Sequence, residues 1–174
     1  MKVFSFDAET NGLWENAFAI SAAVYEDGKL VADFTAYLGP EGVTDGWVRD
    51  NVLPKLEGLA KTHNSYDQML ADFAEFYKAN KADADIITHM GVPVEAKVLI
   101  DMHQKSMIGD WDGPYPMIDV AGALKAKGFN PTSVDSYNKE FNLMEGRSEA
   151  EGLATHHPLY DSVAAAICYI HLLQ

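Results

Sequence analysis

The residue types best suited to chemistry lie in two short acidic motifs, one near each end of the chain. In the first, Asp7 and Glu9 are separated by one residue and follow an apolar run, KVFSF. Residues i and i+2 of a strand point to the same side, so both carboxylates can approach one centre. Hard cations such as Mg²⁺ and Mn²⁺ take oxygen ligands of this kind. Taken alone, the pair is better explained as a solvated strand end, so it needs support from elsewhere in the chain.

The second motif, HHPLYD, supplies a histidine and another carboxylate. Pro158 predicts the start of a helix, which places Asp161 in the first helical turn, where the helix dipole favours a negative charge. His156 lies just before this helix on a flexible segment, where an imidazole can act as a general base toward water. Each residue also has a plainer explanation, as a partner of the dipole and as a surface-loop histidine. Only the combination of both motifs favours catalysis.

In motif order and spacing, nearly the whole chain resembles the DEDDh exonucleases, a family that includes ribonuclease T, oligoribonuclease and the proofreading subunits of bacterial replicases. The resemblance rests on Asp-x-Glu with Thr-x-Gly-Leu at residues 7–13 and on His-x-x-Leu-x-Asp at residues 156–161. A further block, WVR with VLPKL within residues 47–56, looks more narrowly like a subgroup of small single-domain exoribonucleases. The resemblance implies an RNase H-like fold, two Mg²⁺ or Mn²⁺ ions, and release of 5′-mononucleotides from a 3′ end.

The resemblance also implies a role for each residue of the site. Asp7 would bridge both ions, Glu9 and Asp161 would complete one coordination shell, and Glu95 would serve the other. His156 would deprotonate the attacking water. Four residues behind the first motif form a predicted tight turn and would hold the last sugar and base: Thr10, Asn11, Gly12 and Leu13.

The middle motif departs from the family pattern. The family has His-Asn-x-x-x-Phe-Asp-x-x-x-Leu, whereas residues 89–99 read HMGVPVEAKVL, with Met90 at the asparagine position and Glu95 at the aspartate position. A glutamate keeps the charge but adds a methylene, so its carboxylate reaches further or binds through water. The rival acid, Asp101, lies six residues on and would project from a different face of the helix. We therefore predict that Glu95 is the third acid.

Hydrophobic periodicity and turn signals predict the elements that position these motifs. Three strands joined by hairpins precede alternating helices and strands, which predicts an α/β fold with a mixed sheet flanked by helices, in one domain. The resemblance implies that this is an RNase H-like mixed five-stranded sheet flanked by helices, forming a single exonuclease domain over residues 1–174. A polar stretch, residues 145–155, is predicted to be a mobile loop. The predicted strands span residues 2–7, 17–25, 30–38, 84–88 and 117–120, and the helices span 44–51, 66–80, 93–104, 121–127, 133–141 and the segment from residue 158 onward.

The charge of the chain restricts the substrate. Thirteen Lys and Arg against 26 Asp and Glu give a net charge of −13, which argues against the broad basic track that long duplexes require. We therefore expect a short or single-stranded 3′ end, and the resemblance of residues 47–56 to exoribonucleases implies that RNA is favoured over DNA. A DNA exonuclease of the same mechanism is an open alternative, because no residue of the sequence identifies a contact to the 2′-hydroxyl that distinguishes RNA from DNA. Met90 and Glu95 also keep open a catalytically weak RNase H-like module that only binds nucleic acid, and a metal-binding structural protein is a third alternative.

The sequence also predicts where the protein works. The apolar runs are too short to cross a bilayer, and Met1 and Lys2 lead into a strand rather than a signal peptide. The single cysteine, Cys168, falls in an apolar helical stretch and is predicted to be a buried thiol. We expect a cytoplasmic protein with no membrane partner, and a homodimer is left open.

Overall fold

A computed structural model describes all residues from 1 to 174. It contains one five-stranded sheet with the order β3-β2-β1-β4-β5. Strands β1, β2 and β3 are antiparallel neighbours, whereas β1 pairs with β4, and β4 with β5, in parallel. The predicted mixed five-stranded sheet is therefore confirmed. The strands are β1 (Lys2–Thr10), β2 (Ala17–Glu26), β3 (Lys29–Tyr37), β4 (Ala84–Thr88) and β5 (Met117–Asp119).

Helices cover both faces of this sheet. The last helix packs on one face of β1 and β2, and the second and third helices pack on the other. The two central strands are consequently buried on both sides, and β2 consists of buried residues, most of them small or apolar, as far as Tyr25. The helices are α1 (Gly46–Asn51), α2 (Tyr66–Asn80), α3 (Val94–Gln104), α4 (Val120–Ala126), α5 (Val134–Glu140) and α6 (Pro158–Leu172), with short 3₁₀ helices at Leu53–Leu56 and Ser148–Ala150.

Local capping explains where several helices begin. Ser65 accepts a hydrogen bond from the backbone N–H of Gln68 at the start of α2, and Ser133 caps α5 in the same way through Ser136. Asp45 caps α1 by accepting from the backbone N–H of Val48. A cap side chain satisfies one of the backbone N–H groups that the first turn leaves without a partner. These helices therefore begin within two residues of the predicted positions.

The first strand is longer than its predicted end at Asp7. It continues through Thr10 because β2 pairs with it as far as Ala17, with an irregularity between Glu9 and Thr10. Asp7 and Glu9 therefore lie inside the strand rather than at its end. The tight turn predicted at residues 10–13 is correspondingly displaced, since the backbone N–H of Glu15 closes it on the carbonyl of Gly12 at 3.0 Å.

The polar segment 145–155 is only partly a loop. It contains the 3₁₀ helix Ser148–Ala150, and the hydroxyl of Tyr25 donates to Glu149 at 2.8 Å. Ala150 is buried in the core on the α6 side of the sheet. The first half of the segment is thus anchored to the sheet, and only residues 151–155 resemble the predicted loop.

The most apolar helix, α6, is almost entirely buried. Its length and composition, like those of every other helix, fall short of what a bilayer crossing requires. The cysteine Cys168 lies in this helix and is buried, as predicted. Burial raises the pKa of its thiol to about 12, which leaves it protonated and inert.

Candidate active site

Glu95 fills an open edge of the central strand. Strand β4 pairs with β1 only from Lys2 to Ser5, so the remainder of β1 has no neighbour on that side. There the backbone N–H of Ala8 donates to Oε1 of Glu95 at 3.0 Å. Glu95 lies in the first turn of α3 and its side chain is buried. The carboxylate therefore takes the place of the missing strand and is fixed beside Asp7 and Glu9.

The two acids of β1 project toward helix α6. Val3 belongs to the core on the α6 side of the sheet, whereas Phe4 and Phe6 belong to the core on the opposite side. Alternation along the strand therefore places Asp7 and Glu9 on the α6 face. All four predicted acids line one cleft of about 300 Å³, together with the predicted base: Asp7, Glu9, Glu95, Asp161 and His156.

The imidazole of His156 stands beside two of these carboxylates. Ligand atoms of Glu9, Asp161 and His156 lie within 4.8 Å of one another. The backbone N–H of His156 donates to Oδ2 of Asp161 at 2.8 Å, and its Nδ1 is 3.9 Å from Oε1 of Glu9. The backbone φ of His156 is +70°, a left-handed conformation that surrounding contacts must hold in place in a non-glycine residue. The bond to Asp161 holds this strained residue at the mouth of the cleft.

The cleft gathers four acidic groups without a lysine or arginine to balance their charge. Burial, followed by repulsion from Glu95, raises the pKa of Asp7, and burial with repulsion from Asp7 raises that of Asp161. The pKa of Glu9 is raised by burial and then by its acidic neighbours. Burial also raises the pKa of Glu95 to about 7, against the opposing effect of two backbone N–H groups.

These electrostatics fit a divalent cation. No lysine or arginine forms an ion pair with any of the four acids, and none lines the cleft. A bound cation would supply the missing positive charge and return the carboxylates to their ionised form. A donor set made of carboxylate oxygens with a single imidazole suits Mg²⁺ or Mn²⁺ better than a soft metal.

The rival acid, Asp101, is committed elsewhere. Its Oδ2 accepts hydrogen bonds from the hydroxyl of Tyr66 at 2.7 Å and from Nζ of Lys97 at 2.5 Å. The charge of Asp101 is therefore balanced by Lys97, four residues earlier on the same helix. Of the two acids considered for the third position, the structure brings Glu95 to the cleft and leaves Asp101 outside it.

The four residues predicted to hold the last sugar and base do not line the cleft. Thr10 is buried, whereas Leu13 is 65% exposed. Gly12 has a φ of +113° and opens the turn beyond β1. The amide of Asn11 is bonded to the chain segment that precedes α1. Among the four, Leu13 offers the only free apolar side chain. A role in binding stays a prediction for Thr10, Gly12 and Leu13, whereas the amide of Asn11 is already fully bonded within the chain.

His157 differs from its neighbour His156. It occupies the N-cap position of α6, is buried, and has no hydrogen-bond partner at Nδ1. Burial lowers the pKa of this imidazole. The structure therefore places His156 at the cleft and His157 in the interior.

Three further residues at the site were not singled out for it by the sequence. Asp135 lines the cleft and accepts hydrogen bonds from Thr155 at 2.6 Å and Tyr160 at 3.1 Å. Asp119 caps α4, accepts from the backbone N–H of Met90 at 3.0 Å, and contributes to the raised pKa of Glu95. Trp47 meets the His156 ring edge-on. The position of Asp119 at the end of a strand was a usable signal, whereas nothing local connects Asp135 or Trp47 to His156.

Comparison with known proteins bears on the fold alone. Neither a model of a known protein family nor a curated protein sequence matches the chain. Among solved structures, the chain is similar to Exonuclease X in complex with 5′-overhanging duplex DNA, with a TM-score of 0.58 and 18% sequence identity. The similarity covers 98% of this chain and 90% of the other. The chain therefore has an RNase H-like fold of the kind found in an exonuclease, as predicted.

Proposed function

We propose that the protein is a metal-dependent 3′–5′ exonuclease that releases 5′-mononucleotides from short or single-stranded ends, with RNA favoured over DNA. One observation carries the proposal: β1, α3 and α6 bring four carboxylates and one imidazole into a single cleft with no balancing cation. A purely structural cluster of this kind would lower the free energy of unfolding with no compensating interaction, because buried charges are costly unless they are paired. Such sites are expected where function requires them.

The residues of the cleft divide into two chemical roles. Asp7, Glu9, Glu95 and Asp161 would hold a pair of Mg²⁺ or Mn²⁺ ions, which when bound supply charge stabilisation at the scissile phosphate. His156 would accept the proton of the attacking water. Burial, and then the charge of Lys55, lowers the pKa of this imidazole, while Asp135 opposes the shift. A lowered pKa keeps the ring neutral near pH 7 and ready to accept a proton.

The reaction is a hydrolysis that conserves all atoms. The water oxygen bonds to phosphorus as its proton passes to His156, and the bond between phosphorus and the 3′ oxygen of the penultimate nucleotide breaks. That oxygen takes up a proton and becomes the new 3′-hydroxyl. The released nucleotide keeps the phosphate on its 5′ carbon.

The charge distribution supports a short or single-stranded substrate. The net charge is −13, and no lysine or arginine lines the cleft. Each phosphate held by a protein normally requires a cationic partner, so the surface offers little to a long strand. A terminal nucleotide needs few such contacts once cations are bound in the cleft.

DNA is the second candidate substrate. The structurally similar Exonuclease X was solved with duplex DNA, whereas the preference for RNA rests on the resemblance of residues 47–56 to exoribonucleases. A catalytically weak binding module is the third alternative, since Met90 and Glu95 replace the asparagine and aspartate of the family pattern.

The proposal is tested with 5′-labelled RNA and DNA oligomers of one sequence, each incubated with Mg²⁺, Mn²⁺ or EDTA. We expect a ladder shortened from the 3′ end and free 5′-mononucleotides, faster with RNA and abolished by EDTA. Asp161→Asn should be inactive, and Asp101→Asn should serve as the matched active control. Binding of the oligomers without release of nucleotides would favour the binding module instead. Faster release from DNA would reverse the substrate preference, and cleavage from the 5′ end would exclude the proposed reaction.

A further inference from the structure

We infer that Asn11 is a positioning residue that acts on His156 through helix α1 and Trp47, rather than a residue that contacts substrate. Its effect on turnover rests on the proposed function. The structural part, a mechanical link from the end of β1 to the imidazole, does not. The link has three steps, each visible in the contacts of the side chains concerned.

The first step ties the end of β1 to the segment before α1. Oδ1 of Asn11 accepts from the backbone N–H groups of Thr44 at 2.8 Å and Asp45 at 2.9 Å. Nδ2 donates to the Thr44 hydroxyl at 3.2 Å and to the carbonyl of Gly42 at 3.3 Å. A primary amide offers two donors and two acceptor positions. All four are occupied within the chain, so the side chain has no hydrogen-bonding capacity left for a nucleotide.

The second step sets the position of α1. This helix has six residues, too few to be stable without support. Its N-terminus is capped by Asp45, whose Oδ1 accepts from Val48 at 2.9 Å. Asp45 is itself held by Asn11, while Val48 and Val52 are buried in a small core with Phe18. Asn11 therefore fixes the end of α1 that carries Trp47.

The third step joins α1 to the candidate base. The ring of Trp47 meets that of His156 at a centroid distance of 5.6 Å and an angle of 90°, the edge-to-face geometry that aromatic pairs favour. The imidazole itself makes no hydrogen bond. The bond from His156 to Asp161 is donated by the backbone N–H, and Nδ1 of the ring is 3.9 Å from Oε1 of Glu9, too far for a hydrogen bond. The orientation of the imidazole thus depends on Trp47, and through it on Asn11.

A double-mutant cycle tests this coupling. The variants Asn11→Ala, Trp47→Ala and the combined double variant are compared by the kcat and KM of nucleotide release. We expect each single change to lower kcat by about tenfold, a part of the 10²–10⁴-fold that general-base catalysis contributes. The double variant should be no more than about twofold slower than Trp47→Ala alone, because residues acting along one path are not additive. Losses that multiply, or a raised KM with unchanged kcat in Asn11→Ala, would overturn the inference.

Three matched variants exclude a general loss of structure. Asn11→Asp keeps the Oδ1 acceptor for Thr44 and Asp45, so it should remain within a few-fold of the wild-type kcat and rescue the alanine defect. Asn80→Ala removes a comparable amide at the end of α2, and Trp111→Ala removes an exposed indole from the loop before β5. Both should leave kcat unchanged. A loss in Asn11→Asp as large as in Asn11→Ala would contradict the proposed role of the two backbone contacts.

A second readout does not depend on activity. In a Trp14→Phe/Trp111→Phe background, Trp47 is the only indole, because the chain contains three tryptophans. His156→Ala should change the emission of Trp47, and Asn11→Ala should produce the same change with no further effect of His156→Ala. Emission that is insensitive to Asn11→Ala would overturn the link. If the emission responds as expected but the wild-type protein releases no nucleotide, the proposed function fails while the mechanical link stands.

Discussion

At the scale of single residues, Glu95 shows how the site departs from ordinary packing. Its carboxylate is buried, bonded to the backbone of Ala8, and subject to repulsion from Asp119 and Asp161. The position of Glu95 in a helical first turn could be predicted from Pro93 and the periodicity behind it. Its bond to Ala8 could not, because it depends on β4 ending its pairing with β1 at Ser5.

The raised pKa of Glu95 predicts how metal-free stability varies with pH. The pKa is about 7 in the folded protein against an ordinary value of 4.5, so the folded state binds the proton more tightly. The free energy of unfolding should therefore fall as pH rises from about 4.5 to about 7. In EDTA at pH 8, Glu95→Gln should raise Tm by at least about 2 °C, the effect of about 1 kcal/mol in a chain of this size. The difference should vanish near pH 4, and an equal or lower Tm at pH 8 would contradict this electrostatic account.

Substitutions of the adjacent residues His156 and His157 should have different effects, one on turnover and the other on stability. His156→Ala should lower turnover by about 10²–10⁴-fold, the contribution of a general base, while Mn²⁺ and oligonucleotide binding persist. His157→Ala should mainly lower Tm, because His157 is buried at the start of α6 and does not line the cleft. Turnover and thermal melting of both variants provide the check. A larger loss of turnover in His157→Ala would mean that the base is assigned one residue too early.

At the scale of elements, the sequence was informative wherever the determinants are local. Helix α2 and strand β4 have the predicted limits, since Ser65 and the periodicity behind it are local signals. Strand β1 was cut short because its last residues are set by pairing with β2. The hydrogen bonds of Asn11 could not be predicted for the same reason, as its partners lie more than 30 residues away. Long-range pairing is what the sequence pattern does not encode.

The segment before His156 should unfold locally in two independent parts, each detectable by amide hydrogen exchange. Thr155 is tied to Asp135, and Glu149 to Tyr25. Thr155→Val should speed amide hydrogen exchange only in residues 151–157, whereas Tyr25→Phe should speed it in residues 148–150. Segments that carry catalytic groups are often of low local stability, so an oligonucleotide bound with Ca²⁺ should slow exchange in residues 151–157. Uniform exchange across residues 145–157 in both variants, or no response to the oligonucleotide, would show that the two anchors are not separate.

At the scale of the whole molecule, the fold and the charge together define the kind of substrate. The crossover from the antiparallel to the parallel half of the sheet brings the acids of β1, α3 and α6 to one cleft. The chain as a whole has a net charge of −13. The pattern of the chain predicted the sheet, and the motifs named the four acids that line one cleft, whose role in binding metal stays a prediction. The balance of cations at the cleft could not be predicted, because it depends on which lysines are paired elsewhere, as Lys97 is with Asp101.

Binding should consequently depend little on salt. For single strands, the logarithm of the binding constant falls by about 0.7 per neutralised phosphate for each decade of salt concentration. With no lysine or arginine lining the cleft, we expect a slope shallower than about −1.5, equivalent to about two phosphate contacts. The measurement is the KM of an RNA oligomer across a series of KCl concentrations at fixed Mn²⁺. A slope steeper than about −3, or a KM that keeps falling with oligomer length, would reveal a basic track that this account lacks.

The most direct test of the central claim compares Glu95→Gln with Asp101→Asn in one assay of mononucleotide release at saturating Mn²⁺. Both changes remove a single carboxylate from helix α3, but only Glu95 faces the cleft, whereas Asp101 is paired with Lys97. We predict that Glu95→Gln loses at least about 100-fold in kcat, the scale for removing one group that stabilises charge in a reaction. Asp101→Asn should stay within about threefold of the wild-type kcat, because Asp101 lies outside the cleft and cannot stabilise charge in the reaction there. The reverse ranking, or full activity in both variants, would contradict the claim that these four carboxylates form the metal centre of a 3′–5′ exonuclease.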